Sequence, residues 1–279
     1  MAIKKMISKN DIENLEIKLM LDAIDSAYGY SFHNYTQSSL RRRINEFKKS
    51  CQAESYLHLA DKLLNDQSLF EKFLKNLSIT VTEMFRDPQF YQSFRKNIVP
   101  TLETYPFIKI WSAGCATGEE IYSIAIILHE SGLLDRSTLY ATDFNTEALV
   151  HAKKGIYSAT HTQTFINNYN RYGGKNDFSN YYTAKYDSIK LKNFLIDKIT
   201  FANHNLVVDS SFGEMNVILC RNVMIYFDSE LTNRVLNLLQ SSLCRKGFLC
   251  IGTKESLEHT NAYNFFNAVD NKMKIYQLR

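Results

Sequence analysis

A short glycine loop followed by two acids is the stretch of this sequence best suited to hold a small molecule. In the run SAGCATGEE, Gly114 and Gly118 bracket the loop, and Glu119 and Glu120 open the segment after it. Dinucleotide sites place three glycines in such a turn and bind a pyrophosphate at the helix N-terminus. Here Ala116 occupies the place of the middle glycine, and the two carboxylates would repel a phosphate. The loop therefore favours a ligand that carries positive charge.

Asp143 adds a second feature, because it ends the next apolar run, TLYATD. In nucleotide-binding α/β folds an acid at this position accepts hydrogen bonds from both ribose hydroxyls. No arginine stands beside it to bind a 2′-phosphate, which weighs against NADP. An adenosine joined to an ammonium and a sulfonium fits these residues, so S-adenosylmethionine is the predicted cofactor. A structural alternative stays open, since the helix dipole also favours glutamates in a first helical turn.

Alternating strand and helix patterns would position these residues at one edge of a sheet. The runs FIKIWSA, TLYATD, MNVILC, GFLCIGT and MKIYQLR have the length and apolar content of strands, and helical segments separate most of them. Asn145 and Gly155 have the residue types of the two caps of one such helix. Because ligands bind beyond the carboxyl ends of parallel strands, the pattern predicts an α/β, Rossmann-like domain over residues 107–279.

The chain before this domain has a different pattern. Apolar residues recur there every three or four positions without a proline, as in amphipathic helices. Pro88, Pro100 and Pro106 then precede the first predicted strand. We therefore expect an all-helical domain over residues 1–80 and an interdomain linker over residues 81–106.

Residues 155–200 interrupt the strand and helix alternation. The segment is rich in Tyr, Asn, Lys and Thr, has a turn signal at Gly173 and Gly174, and contains the alternating run IKLKNF. These features predict a small antiparallel β insertion.

Composition narrows the class of protein. The chain has 279 residues, 45% of them hydrophobic, and a net charge of +4, which is too weakly basic to indicate sequence-independent nucleic-acid binding. Its five cysteines form no C-x-x-C pair and its seven histidines show no metal-ligand spacing, so we expect neither disulfides nor a metal. There is no signal-peptide pattern and no apolar run of about 18 residues. A soluble cytoplasmic protein without membrane insertion is expected.

Several of these runs together resemble the chemotaxis receptor glutamate methyltransferases, the CheR family. They are TEMFRD at 82–87, SAGCATGEEIYSIA, ATDFNTEALVHAKKGIY, HNL at 204–206 and CRNVMIYFD at 220–228, in the family order. CRNVMIYF is the most specific of them. The resemblance implies a class I S-adenosylmethionine-dependent methyltransferase domain with a small β subdomain, preceded by an all-α domain. It also implies methyl esters formed on receptor glutamates, with S-adenosylhomocysteine as the other product.

The resemblance implies roles for individual residues. The cofactor contacts would be Thr80, Thr82, Arg86, Gly114, Glu120, Asp143, Asn205, Leu206, Arg221 and Asn222, and the catalytic residues Arg86 and Tyr226. Within this set, Glu120 would meet the methionine end of the cofactor and Asp143 the ribose. Asn205 and Leu206 would flank the adenine. Arg221, with Asn222, would line the cofactor near its methyl group.

The predicted linker would contribute residues that close over the cofactor. Thr80, Thr82 and Arg86 come from it, and Tyr226 would face the transferring methyl group. Two residues depart from the family pattern: Thr80 stands where many relatives have Asn, which puts that contact in doubt, and Ile121 replaces a common proline at a structural position.

The implied reaction needs little acid–base chemistry. A glutamate is already ionised at neutral pH, so methyl transfer to it requires no general base, and catalysis depends on alignment and on removal of water. The hypothesis is that Arg86 and Tyr226 donate hydrogen bonds that orient this glutamate. Structural alternatives stay open: Arg86 as a surface salt-bridge residue, Tyr226 as a core aromatic, and Asn205 as a turn residue.

The expected partners are methyl-accepting chemotaxis receptors. In TQSSLRRRINEFKKS the predicted apolar face of Leu40, Ile44 and Phe47 leaves Arg42, Arg43, Lys48 and Lys49 largely outward. That basic face is either simply solvated or steers the protein onto acidic signalling helices. In some family members the β subdomain also binds a C-terminal receptor pentapeptide. A monomer is expected.

Two other functions compete with this interpretation. One is a methyltransferase for RNA or a small molecule, which the lack of a strong basic stripe and of an N-P-P-Y type motif disfavours. The other is a binding module that kept the fold and lost turnover, which intact Arg86 and Tyr226 disfavour.

Overall fold

The computed structural model describes residues 8–28, 32, 37–77, 82–211 and 213–279. Contacts divide the chain into two compact units, Met1–Ile79 with Tyr226–Leu231, and Thr80–Ile225 with Thr232–Arg279. Each unit has a hydrophobic core. Within the described ranges, no helix combines the length and the apolar content needed to span a bilayer.

The first unit is helical, as its apolar spacing predicts. Its helices are α1 (Lys9–Tyr28), α2 (Gln37–Ser50), α3 (Tyr56–Asn65) and α4 (Gln67–Leu77). Ser55 caps α3, because its side chain accepts a hydrogen bond of 3.0 Å from the His58 N–H. Leu40, Ile44 and Phe47 of α2 are buried in the core of this unit, as predicted.

The buried face of α1 is not the one that its most regular spacing indicates. Ile12, Leu15 and Leu19 are 46%, 52% and 46% exposed, whereas Met20 and Ile24 are fully buried. The helix carries two apolar stripes, and spacings of three and four residues fit both of them. Packing, and not periodicity, decides which stripe is buried.

The second unit contains a seven-stranded mixed sheet. Its strands are β1 (Ile108–Ala113), β2 (Ser137–Asp143), β6 (Ile199–Asn203), β7 (Met215–Cys220), β8 (Leu243–Ile251), β9 (Phe266–Asp270) and β10 (Ile275–Leu278). The spatial order is β6-β2-β1-β7-β8-β10-β9. The first five strands in this order are parallel, and β10 is antiparallel to both of its neighbours, β8 and β9. The strand order reverses between β1 and β7, and such switch points are where α/β sheets bind ligands. The predicted Rossmann-like fold is confirmed.

Helices cover and connect these strands. They are α5 (Pro88–Asn97), α6 (Val99–Leu102), α7 (Glu119–Glu130), α8 (Thr146–Lys154), α9 (Thr162–Tyr172), α10 (Asn193–Ile196) and α11 (Ser229–Ser241). Both predicted caps of α8 are present: the Asn145 side chain accepts from the Ala148 N–H at 3.1 Å, and Gly155 ends the helix at φ +58°. Residues 88–102, within the expected linker, are helical and bury Phe90, Tyr91 and Phe94 in the large core.

The segment after α8 forms the predicted antiparallel insertion. Its sheet contains β3 (Ile156–Ser158), β4 (Tyr182–Lys185) and β5 (Ser188–Leu191) in the order β3-β5-β4. The helix α9 within it and the strand β6 that follows it were not apparent in the sequence. The helix α9 is rich in Asn, Thr and Tyr and so resembles a loop in composition, which explains why it was missed. The hydroxyls of Tyr169 and Tyr181 bind the Glu130 carboxylate and so fasten the insertion to α7.

Candidate active site

The predicted cofactor loop lies at the carboxyl end of β1 and is tied to the end of β2. The N–H groups of Gly114 and Cys115 both donate to the Thr142 carbonyl, at 2.8 and 2.9 Å. Gly114 has φ +77°, and a Cβ there would lie 2.6 Å from a Val223 methyl carbon. Ala116 has φ +48°, a left-handed conformation that costs a non-glycine residue roughly 1–2 kcal/mol. Glycine is thus required at 114, and the loop is strained at 116.

Asp143 supports this strained loop through hydrogen bonds to backbone groups. One carboxylate oxygen accepts from the Ala116 N–H and the other from the Asn145 N–H, both at 2.9 Å. The residue is buried, and burial raises the pKa of its carboxyl group while the N–H donors oppose that shift. Each carboxylate oxygen has a second lone pair. Asp143 can therefore hold the loop and still accept hydrogen bonds from a ligand.

The two glutamates that open α7 have different environments. Glu119 is buried, accepts hydrogen bonds from the Thr117 hydroxyl at 2.7 and 3.0 Å, and has its pKa raised to about 7 by burial. Glu120 accepts from the Ser112 hydroxyl at 3.0 Å and from the Arg221 guanidinium at 3.1 Å. Only Glu120 therefore has a cationic partner.

The buried Arg221 is the centre of a charge cluster. Its side chain is 2% exposed, and its two terminal nitrogens bind Glu120 and Asp87, at 3.1 and 2.9 Å. The guanidinium carbon lies 3.8 Å from the ring centroid of Phe90, a cation–π contact. Nε is buried without a hydrogen-bond partner among the described residues. The sequence predicts that the acids of this loop attract a cationic ligand, but in the structure Glu120 already pairs with Arg221.

The site nevertheless retains net negative charge. Asp87, Glu120 and Asp143 contribute three carboxylates and Arg221 one guanidinium. Burial raises the pKa of the Cys115 thiol, and the negative charges of Asp143 and Glu120 raise it further. Both carboxylates therefore act at the same place. A cationic ligand with an adenosine moiety fits such an edge better than a phosphate does.

The two residues that flank Arg86 in the chain are fixed by contacts of their own. Phe85 and Asp87 have φ +54° and +59°, strained values for residues other than glycine. The Phe85 N–H donates to the Ser123 hydroxyl at 2.9 Å, and Asp87 binds Arg221. Arg86 lines a cavity of about 470 Å³ within the second unit, together with Glu83, Asp87, Pro88, Gln89, Asn168, Arg171, Thr253 and Met273. Thr82 precedes this segment and is half-buried.

The remaining predicted residues follow β6 and β7. Leu206 is buried, and the Asn205 side chain accepts from the Val207 N–H at 3.0 Å, so Asn205 is a turn residue whatever else it binds. Asn222 follows β7 with φ +62°. Thr80 lies outside the described residues, as does the side chain of Tyr226.

Among the predicted residues, Gly114, Glu120, Asp143, Arg221 and Asn222 thus lie at the carboxyl ends of β1, β2 and β7. Two further residues of this edge, Asp87 and Glu255, were missed. Asp87 directly precedes Pro88, a helix-start signal, and Glu255 follows the parallel strand β8; each position could have drawn attention to an acid.

Thiol and metal chemistry find little support at this edge. Cys115, Cys220 and Cys250 are buried free cysteines, and burial raises the pKa of each thiol, which keeps it neutral. Across the ranges that the structure describes, no three His, Cys, Asp or Glu side chains are grouped to hold a metal ion.

Comparison with known proteins agrees with this geometry. A family model described as CheR methyltransferase, all-alpha domain, matches residues 15–78, and one described as CheR methyltransferase, SAM binding domain, matches residues 80–273. A Pseudomonas putida protein whose name assigns it to the methyltransferases as Cher3 is 42% identical over 264 residues, covering 95% of this chain and 97% of its own. The chemotaxis protein methyltransferase 2 of Pseudomonas aeruginosa is 30% identical over 237 residues, with 80% and 79% coverage. A chemotaxis protein methyltransferase of Listeria innocua is 27% identical over 240 residues, with 83% and 88% coverage.

Proposed function

Since the chain belongs to the CheR methyltransferase family, with an S-adenosylmethionine-binding domain, we propose that it methylates glutamate side chains of chemotaxis receptors. The proposal rests most on one observation. Arg221 joins Glu120 of the cofactor loop to Asp87, the neighbour of Arg86, through its buried guanidinium. That link couples the cofactor-binding edge to the residue proposed to hold the acceptor.

In this proposal the cofactor spans the carboxyl ends of β2 and β1. Asp143 accepts from the ribose hydroxyls with its free lone pairs, and Asn205 and Leu206 lie beside the adenine. Glu120 meets the methionine end, and Thr82 and Arg86 contact the cofactor from the segment before α5. Arg221 and Asn222 line the cofactor near its methyl group, and the buried guanidinium of Arg221 also orients Glu120.

The bound cofactor supplies an electrophilic methyl group: a glutamate oxygen forms the new bond to carbon, the carbon–sulfur bond breaks, and its electron pair stays on sulfur, giving the ester and S-adenosylhomocysteine. No proton moves, so the chain needs no general base. The carboxylate loses its negative charge and the sulfonium its positive charge in this reaction. A site of low polarity favours such a loss of charge. Arg86 and Tyr226 orient the acceptor carboxylate, and a partial contact suits this role because a bidentate clamp would stabilise the ground state.

The cavity lined by Arg86 is the proposed entry for the acceptor side chain. It is enclosed by residues from α5, α9 and the loop after β8. Asp87 lines it and also binds Arg221, so the cavity adjoins the charge cluster.

The acidic signalling helices of the receptor are the proposed macromolecular substrate, and exposed cations of α2 the proposed contact. The structure narrows the choice of cations. Arg43 donates to the carbonyls of Asn76 and Leu77, at 3.1 and 2.8 Å, and so caps α4; the expectation that it lies outward is wrong. Lys48 lies 4.9 Å from the ring centroid of Tyr56. Arg42 and Lys49 are exposed and remain candidates for steering.

A receptor pentapeptide is a proposed second contact, added as a strand to an edge of the small sheet. Removing the whole insertion is a poor test, because Tyr169 and Tyr181 bind Glu130 of α7. Replacing Ala184 of the edge strand β4 by proline is cleaner, since it removes one N–H and disfavours pairing. Calorimetry should show weaker pentapeptide binding to Ala184→Pro than to the unsubstituted protein. Equal affinities would remove β4 from the proposal.

Transfer of isotope tests the reaction itself. The protein is incubated with S-adenosylmethionine labelled on its methyl group and with receptor-rich membranes. We expect label in the receptor that base releases as methanol, the behaviour of a methyl ester. Base-stable label in RNA, protein or a small molecule would favour another methyltransferase reaction. Cofactor binding without any transfer would favour a binding module.

A further inference from the structure

Glu255 has a buried carboxylate that the proposed reaction does not use. It follows β8 and is 7% exposed. One of its oxygens accepts from the N–H groups of Gly252 and Asn222, and the other from the N–H of Ile225. These donors belong to two loops that follow the adjacent parallel strands β7 and β8. One carboxylate therefore fastens both loops together.

Gly252 provides independent evidence that the two loops fit closely. A Cβ at this position would lie 2.8 Å from the Asn222 backbone nitrogen and 2.8 Å from a Glu255 carboxylate oxygen. It would also lie 2.9 Å from the Asn222 side-chain nitrogen. Contacts this short are repulsive, so the close approach of the two backbones requires glycine.

The turn that Glu255 holds is strained. Asn222 has φ +62°, a conformation that persists only where the surroundings fix it. Hydrogen bonds to the N–H groups of Asn222 and Ile225, at 3.1 and 3.2 Å, fix the turn from both of its ends. A carboxylate suits this task because it only accepts hydrogen bonds, whereas glutamine would direct an NH₂ group at N–H donors.

We propose that Glu255 is a positioning residue of the cofactor site, whose carboxylate holds the left-handed turn at Asn222 and so places Asn222 against the cofactor. The inference rests on the proposed function, because it takes Asn222 to be a cofactor contact. Glu255 itself touches neither cofactor nor acceptor. Its loss should weaken cofactor binding through the turn.

Calorimetric titration with S-adenosylhomocysteine, well below the unfolding temperature, provides the first test. Glu255→Gln keeps the shape of the side chain and should weaken binding at least tenfold. Glu258→Gln, an exposed position of the same segment, is the control and should change affinity less than twofold. Equal affinities of Glu255→Gln and the unsubstituted protein would overturn the inference and leave the proposed function intact.

A double-mutant cycle with Asn222→Gly separates positioning from a general loss of stability. Glycine adopts the left-handed turn without strain but lacks the amide side chain. If Glu255 acts through Asn222, the affinity losses of Glu255→Gln and Asn222→Gly should not multiply in the double variant. If the affinity loss of the double variant equals the product of the two single losses, the inference is overturned. If Glu255→Gln does not fold, Gly252→Ala displaces the same turn and is measured in its place. No binding by the unsubstituted protein would overturn the proposed function as well.

Discussion

The carboxyl edge of the large sheet and helix α2 both concentrate charge, but the two regions use it differently. At the sheet edge the guanidinium of Arg221 is buried, and it pairs with the largely buried Glu120 and with Asp87, whose side chain is 41% exposed. On α2, Arg43 caps a neighbouring helix, while Arg42 lies 4.0 Å from Glu46 with both side chains exposed. Buried charges are costly unless paired, whereas surface ion pairs contribute little. Substitutions should therefore have large effects at the sheet edge and small ones on α2.

Removing Arg221 should have the largest effect. Arg221→Met leaves Glu120 and Asp87 without their cation, which should lower the free energy of unfolding by about 3–5 kcal/mol and abolish S-adenosylhomocysteine binding. Urea unfolding and calorimetry measure the two quantities. The exposed Arg234, replaced by Met, should change stability by less than about 0.5 kcal/mol. Similar results for the two variants would contradict the importance of the buried pairing of Arg221 at the sheet edge.

Asp143 should affect both the ligand and the loop that it holds. Asp143→Ala removes the proposed acceptor of the ribose hydroxyls, and hydrogen bonds to charged groups contribute about 1.5–3 kcal/mol each. We expect an affinity for S-adenosylhomocysteine about 100-fold lower. The same titration with NAD should give no binding to either protein. NAD binding to the unsubstituted protein would show that the edge does not select a cation.

Arg86 should separate turnover from stability. Arg86→Ala should lower kcat for methyl transfer at least tenfold, because the acceptor carboxylate loses an orienting donor, yet leave the urea midpoint nearly unchanged. Arg171→Ala changes another cation of the same cavity and serves as the control, with a smaller effect on kcat. Unchanged kinetics of the Arg86 variant would remove it from the catalytic residues.

Glu119 should make the stability of the protein depend on pH. Burial raises the folded-state pKa of Glu119 to about 7, above the ordinary value of 4.5, so the folded protein binds this proton more tightly than the unfolded chain does. Its contribution to stability is complete below pH 4.5 and is lost as the pH rises to about 7, at most about 3 kcal/mol. Glu119→Gln should therefore gain stability relative to the unsubstituted protein between pH 5 and pH 8, measured by urea unfolding. A constant difference between the two proteins would mean that Glu119 is not buried as described.

The smallest effect is expected on α2. Replacing Arg42 and Lys49 by Glu should slow receptor methylation several-fold at low salt, and less at physiological salt, because salt screens exposed charges. Stability should not change. Arg43→Glu should instead destabilise the protein, since it removes the cap of α4. An unchanged rate at low salt would mean that the basic face is only solvated.

The difference between the sheet edge and α2 also explains which features the sequence could predict. Gly114, Glu120 and Asp143 follow apolar strands, and the topology of an α/β sheet brings such positions to one edge. The partner of Glu120 could not be predicted, because Arg221 lies about a hundred residues away along the chain. On helices, spacing suggested the buried face of α2 correctly, but not that of α1, nor the cap formed by Arg43. Those outcomes depend on which neighbour packs against each face, and sequence periodicity carries no such information.

The position of the transferred methyl group shows most directly whether this protein forms methyl esters on receptor glutamates. After reaction with S-adenosylmethionine, the receptor is digested and its peptides are mapped by mass spectrometry. We expect one added methyl mass on glutamates of the signalling helices, lost on mild base treatment and formed at least tenfold more slowly by Arg86→Ala. A base-stable methyl group on any other residue would contradict this expectation.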